Sequence, residues 1–179
     1  RGGGTWLVVE MALFVCHVMV WGIVPVGAVF APVNLTELET AVDSCVPGRT
    51  SDGSACASSS YGAIGEWDVS RVTSLAQLFD GMQSFNQDLS KWDVSRVTNL
   101  VETFQNANAF NSDLSTWDVS KVTSLDQTFY YAKAFNSDIS TWDVSEVTTL
   151  YRTFDIAERF NSDLSTWDVS KVTTLYGTF

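Results

Sequence analysis

Two lines of aspartates carry the first chemistry that this sequence suggests. Asp68, Asp93, Asp118, Asp143 and Asp168 recur every 25 residues, and Asp88, Asp113, Asp138 and Asp163 keep the same interval. Carboxylates brought together by a regular repeat could hold Ca²⁺ between turns, which takes six or more oxygens. They could also form the acid pair of a glycoside hydrolase. The chain lacks the G-G-x-G-x-D glycines of calcium-binding repeats. Identical acids on every turn fit a structural period better than a unique reaction centre, so aspartates that cap turns or face solvent are expected. Asp93, Asp118 and Asp143 remain candidate binding residues. His17 is the sole histidine and lies in an apolar leader, so the array cannot build a Ser/His/Asp or Cys/His arrangement. No Gly-rich phosphate loop, C-x-x-C pair or zinc ligand set is present. The expectation is a protein that is not an enzyme, with no metal and no cofactor.

What positions these residues is a repeat. The sequence WDVSxVT begins at Trp67, Trp92, Trp117, Trp142 and Trp167. A fixed period of this length predicts stacked supersecondary units, each unable to bury its apolar face alone. Within the coil from Leu89 to Asp113, alternation sends Trp92 and Val94 inward and Asp93 and Ser95 outward, as a strand requires. Leu100, Phe104 and Ala107 then follow helical spacing, and Phe110 closes the coil. The expected fold is an α/β solenoid: a leucine-rich-repeat-like, right-handed stack of 25-residue coils. Each coil has a short strand and a return leg of short helix or 3₁₀ turn. Asn86, Asn111, Asn136 and Asn161 follow the closing Phe of each turn and are expected to form a buried column bonding adjacent backbones.

Three regions follow. Residues 1–33 are expected to be a signal peptide or membrane anchor, residues 34–66 a capping helix and loop, and residues 67–179 the array of five copies, the last truncated. From Met11 to Val33 only His17 is ionisable, and the run is long enough to span a bilayer. Small residues at Val26-Gly27-Ala28 favour a removed signal over a retained anchor, whereas the cysteine context at Cys16 does not suit lipidation. Leu35, Leu38, Val42 and Cys45 fall at helical spacing, with Thr36 and Glu39 as the expected capping box. Cys45 and Cys56 flank a Pro/Gly/Ser loop, and in an exported protein a disulfide there is expected. Asn34-Leu35-Thr36 is a candidate glycosylation sequon. The array stops inside a coil at Phe179, so the natural protein is expected to continue.

The pattern F-N-x-D-[LI]-S-x-W-D-V-S-x-V-T-x-L-x-x-[TL]-F closely resembles the BspA-like leucine-rich-repeat surface protein family, whose mycoplasma-type repeat domain of unknown function carries the same unit. The likeness covers residues 34–179. It implies secreted or surface-attached proteins that act in adhesion or matrix contact, and it implies no reaction.

The net charge of −11 argues against nucleic acid and anionic membrane as partners, leaving membrane contact only through an N-terminal anchor. Outward strand positions barely change between copies, while variation gathers on the return leg. The uniform face would suit a repetitive partner such as a glycan or another copy. Tyr130, Tyr131, Tyr151 and Tyr176 on the varied leg could anchor a protein recognised through unique contacts. The expected function is a secreted or cell-surface scaffold for adhesion, binding an extracellular protein or glycan. A structural spacer is the alternative. Ice- or mineral-surface binding through the column Thr73, Thr98, Thr123, Thr148 and Thr173 is a third reading.

Overall fold

The structure is a computed structural model and describes residues 29–179. Most of the expected signal or anchor segment, up to residue 28 and including Cys16, His17 and the expected cleavage site at Val26-Gly27-Ala28, lies outside the described residues. One α-helix is present among the described residues, α1, Leu35–Cys45. Its N-cap is Asn34, whose side chain accepts from the Glu37 amide at 2.9 Å, while the Glu37 carboxylate reaches back to the Val33 amide at 3.0 Å. The cap therefore lies two residues ahead of the expected Thr36–Glu39 box, because Asn34 holds the extended backbone that an N-cap needs. Leu38, Ala41, Val42 and Cys45 turn one buried face toward the first repeat. No helix of the described residues is long and apolar enough to cross a membrane.

The repeats stack on one another, but the α/β solenoid reading is wrong. Among the described residues there is no sheet, and strand-type pairing is limited to isolated parallel bridges joining Ser74, Asn99, Ser124, Thr149 and Thr174. The inward and outward alternation holds, with Trp92 and Val94 buried and Asp93 exposed. The pleat does not follow, because turns interrupt it. Ser95 donates its amide to Asp93 Oδ1 at 3.0 Å, Trp92 to the Leu89 carbonyl at 3.0 Å and Val97 to the Val94 carbonyl at 2.8 Å. Each bond folds the chain back on itself where a ladder would have extended it.

The return leg is likewise neither α-helix nor 3₁₀-helix. Bonds from Thr103 to Leu100, Gln105 to Glu102 and Ala107 to Phe104 close successive three-residue-apart turns. Left-handed backbone at Glu102 (φ 55°) and Asn106 (φ 57°) prevents them from merging into a helix. The amides between those turns bond to the next coil. Leu100 donates to Ser124, Glu102 to Asp126, Phe104 to Thr128 and Asn106 to Tyr130. The same four files run through the stack from Leu75 to Asp155, and three of them continue to the last coil. Turns and inter-coil bonds thus share the backbone groups of the leg, satisfying buried amides without a sheet.

Aromatic ladders fill the interior. Phe79, Phe104, Phe129 and Phe154 stack at 5.4 to 5.7 Å, and Phe85, Phe110, Phe135 and Phe160 at 5.8 to 6.2 Å. Buried polar groups are partnered across coils. The Trp117 indole donates to the Leu89 carbonyl at 3.1 Å, and the Thr128 hydroxyl to Leu100 at 2.9 Å. The Asn column was expected to be buried. It is exposed, although it does bond adjacent backbones: Asn136 donates its amide to Asn111 Oδ1 at 2.6 Å.

The first coil is closed by the segment between α1 and Trp67. Cys45 and Cys56 are bonded, with Cα atoms 4.7 Å apart. Arg49, inside that loop, donates through Nη1 to the carbonyls of Gln77, Leu78 and Asp80 at 3.0 to 3.3 Å and pairs through Nη2 with Asp43 at 3.0 Å. The Leu78 and Asp80 carbonyls begin two of the inter-coil files, since Phe79 and Gly81 donate onward to Thr103 and Gln105. Gly65 is fixed by a close approach: a Cβ there would lie 2.3 Å from the Asp88 carbonyl oxygen. This leaves no room for a side chain at the joint.

Candidate interaction surface

Asp93, Asp118 and Asp143 lie on the exposed uniform face, one per coil, and each is engaged by its own backbone. Their Oδ1 atoms accept the amides of Ser95, Ser120 and Ser145, each at 3.0 Å. The second line does the same, with Asp88, Asp113, Asp138 and Asp163 accepting from the serine two residues on at 2.8 to 2.9 Å. The serine hydroxyl, followed by its amide, holds Asp93, Asp118 and Asp143 below the usual carboxylate range. Among the described residues no group of three or more His, Cys, Asp or Glu is placed to hold a metal ion. The Thr column faces outward, but from Thr98 on each hydroxyl bonds to the preceding Thr carbonyl: Thr98 to Thr73 at 3.2 Å, and Thr148 to Thr123 at 3.1 Å. Asn34 is exposed at the start of α1, its Oδ1 occupied by the cap.

The four tyrosines form one strip across three successive return legs. Tyr130 and Tyr131 meet edge to face at 4.7 Å. Tyr151 and Tyr176 stack at 5.7 Å with an interplanar angle of 16°. The two pairs are joined by Arg152, which sequence reasoning missed. Its guanidinium carbon lies 5.6 Å from the Tyr130 ring centre and 5.5 Å from that of Tyr151. Arg152 Nε is buried without a hydrogen-bond partner, and Asp155 Oδ2 at 3.6 Å is an ion-pair neighbour beyond hydrogen-bond reach. Lys133 flanks the strip 6.0 Å from the Tyr131 ring, held by Glu158 at 2.7 Å. Asp126 borders Tyr151, accepting its amide at 3.2 Å and the Thr149 hydroxyl.

Two left-handed backbone columns that recur from coil to coil run through this strip. Arg152 (φ 50°) belongs to a left-handed column with Gln77, Glu102, Gln127 and Gly177, and Tyr131 (φ 58°) to a second with Gly81, Asn106 and Ile156. Each column contains one glycine, the residue that adopts this conformation without strain. Tyrosine, arginine and isoleucine do so at about 1 kcal/mol or more. The signal for Arg152 was therefore present in the sequence, as a bulky cation in register with Gly177.

The family described as a Mycoplasma protein of unknown function, DUF285, matches residues 53–140 and again residues 113–179. No curated protein and no solved structure matches the chain.

Proposed function

Because the chain belongs to the DUF285 family of Mycoplasma proteins of unknown function, we propose that it is a non-catalytic interaction scaffold that takes its partner through the return legs. The observation that carries this reading is the Tyr130–Arg152–Tyr151 strip. It gathers half-buried aromatic rings of adjacent coils around a guanidinium whose own backbone is left-handed, and such an outlier is a reason to look for function. The uniform face supports the same division of labour, since its aspartates and threonines already serve the coils that carry them. The likeness to BspA-like surface proteins and the apolar leader favour a secreted or surface-attached protein in contact with an extracellular glycan or protein. Inward bonding of the threonine hydroxyls weighs against ice or mineral binding.

The test is a binding panel on the immobilised full chain, covering glycans, matrix proteins and a second copy of the chain. Binding by the wild type that is lost in a Tyr151→Ala/Arg152→Ala variant and kept in Asp93→Asn, Asp118→Asn and Asp143→Asn supports this reading. Binding that follows the aspartates overturns it, and a panel wholly without binding favours the spacer.

A further inference from the structure

We infer that Cys45–Cys56 and Arg49 form a redox-dependent lock on the first edge of the stack: the disulfide holds Arg49 over the edge carbonyls, and reduction releases it. The edge follows from the direction of the inter-coil bonds. In the second coil the Thr103 and Gln105 carbonyls accept from Phe79 and Gly81, and in the third Thr128 and Tyr130 accept from Phe104 and Asn106. The equivalent carbonyls of the first coil, Leu78 and Asp80, receive Arg49 Nη1 in place of a preceding coil, at 3.3 and 3.0 Å. The Gln77 carbonyl is reached as well, at 3.3 Å. A guanidinium carries five donors in a rigid fork, so Nη1 can serve the edge while Nη2 pairs with Asp43 at 3.0 Å.

The loop aims the side chain. Gly48 (φ 64°) and Arg49 (φ 57°) are successive left-handed residues, and the Arg49 amide bonds back to the Val46 carbonyl at 2.8 Å. Arginine adopts that backbone only where its surroundings impose it. One end of the loop leaves the buried end of α1 at Cys45. Near the other, the Asp52 carbonyl accepts from Gln87 Nε2 at 3.0 Å. The disulfide closes this segment across a separation of 11 residues, with Arg49 inside it. Closure restricts the conformations that Arg49 can explore away from the edge. Opening the bond restores that freedom and leaves a half-buried, left-handed arginine to hold its part of the loop. In the redox step a dithiol reductant forms its own disulfide and passes two electrons and two protons to the protein, whose Sγ–Sγ bond breaks to give two thiols. Both cysteines are buried in the closed form, so reduction proceeds through transient opening and the lock holds in an oxidising compartment. Bared, the Leu78 and Asp80 carbonyls are unpaired acceptors of the kind that an edge strand offers to another chain.

The experiment is amide hydrogen exchange followed by NMR on the full chain, oxidised and after dithiol reduction, with the free thiols counted. In the wild type, reduction is expected to speed exchange at Leu78, Asp80 and Met82 of the first coil by roughly tenfold or more, while Phe104 and Phe129 deeper in the stack are unchanged. A Cys45→Ala/Cys56→Ala variant is expected to match the reduced protein. In Arg49→Met the same amides are expected to exchange fast with the disulfide intact, and reduction then adds less than about twofold. Helix α1 stays protected throughout, because Leu38, Ala41 and Val42 keep it packed. First-coil exchange that does not respond to reduction overturns the lock. An undiminished response in Arg49→Met overturns it too, as does loss of α1 protection on reduction, since either makes the disulfide a brace that does not act through Arg49.

Discussion

The two faces of the repeat array use their side chains in opposite ways. On the uniform face, Asp93, Ser95, Thr98 and Asn111 have counterparts in the neighbouring copies, and each gives a polar group to a turn or to the adjacent coil. On the return leg, equivalent positions hold Gln77, Glu102, Gln127, Arg152 and Gly177, and their backbone is strained wherever the residue is not glycine. Invariance on the first face is explained by hydrogen bonds within the fold. On the second, Glu102 accepts from both Gln77 and Gln127, but the column changes to Arg152 and Gly177 further on, so no single side chain is required there. The proposed binding surface therefore lies on the columns that differ.

The largest effect that would break this contrast concerns the interior both faces share. Phe129 is fully buried and stacks on Phe104, Phe135 and Phe154. Phe129→Ala is expected to lower unfolding free energy by about 3–5 kcal/mol in denaturant titration. Next comes the cap. Arg49→Met removes charged hydrogen bonds to Gln77, Leu78 and Asp80, with an expected loss of about 2 kcal/mol, most visible as earlier hydrogen exchange in the first coil. Smaller, and of the opposite sign, is Ile156→Gly. Relief of a left-handed β-branched residue at φ 59° should raise stability by about 1 kcal/mol, seen as a higher melting temperature. Arg152→Ala is expected to change stability by less than ~0.5 kcal/mol, since its ion pair with Asp155 is long, at 3.6 Å, and both partners are partly exposed. A large loss there would make the strip a structural element and erase the contrast.

The last prediction concerns pH. Serine bonds depress Asp68, Asp93, Asp118 and Asp143 in the folded state. A lowered folded-state pKa gives stability that is present above the ordinary carboxylate value, near ~4, and lost as pH falls through the depressed values. Acid titration monitored by tryptophan fluorescence should show loss beginning below that range. Asp→Asn changes along the uniform face should blunt it, because the amide keeps a turn acceptor but no longer titrates.

The stacking period, the buried Trp, Val, Leu and Phe positions and the helix at Leu35–Cys45 were legible in the sequence, because burial at fixed spacing leaves a direct trace in residue type. Local backbone was not. Trp92-Asp93-Val94-Ser95 alternates like a strand, yet Asp-x-Ser is also the signature of a turn closed by a side chain, and here the turn prevails. Leu100, Phe104 and Ala107 have helical spacing, but the left-handed residues between them leave a periodic trace only in Gly81, Asn106 and Gly177. Arg152 was missed because an arginine among charged neighbours looks like any solvated side chain until its contacts with two tyrosines from adjacent coils are seen.

The four files of amides on the return leg have an electrostatic consequence. In each, carbonyls point toward the preceding coil and N–H groups toward the following one, as in Phe79 to Thr103 and Phe104 to Thr128. Two other files, Thr98 to Thr73 and Ala109 to Gln83, run the opposite way, so the dipoles do not cancel. The array is then a vector, with a carbonyl-rich pole that Arg49 neutralises. Coils joined in this way bond head to tail, so the stack has a direction written in its main chain.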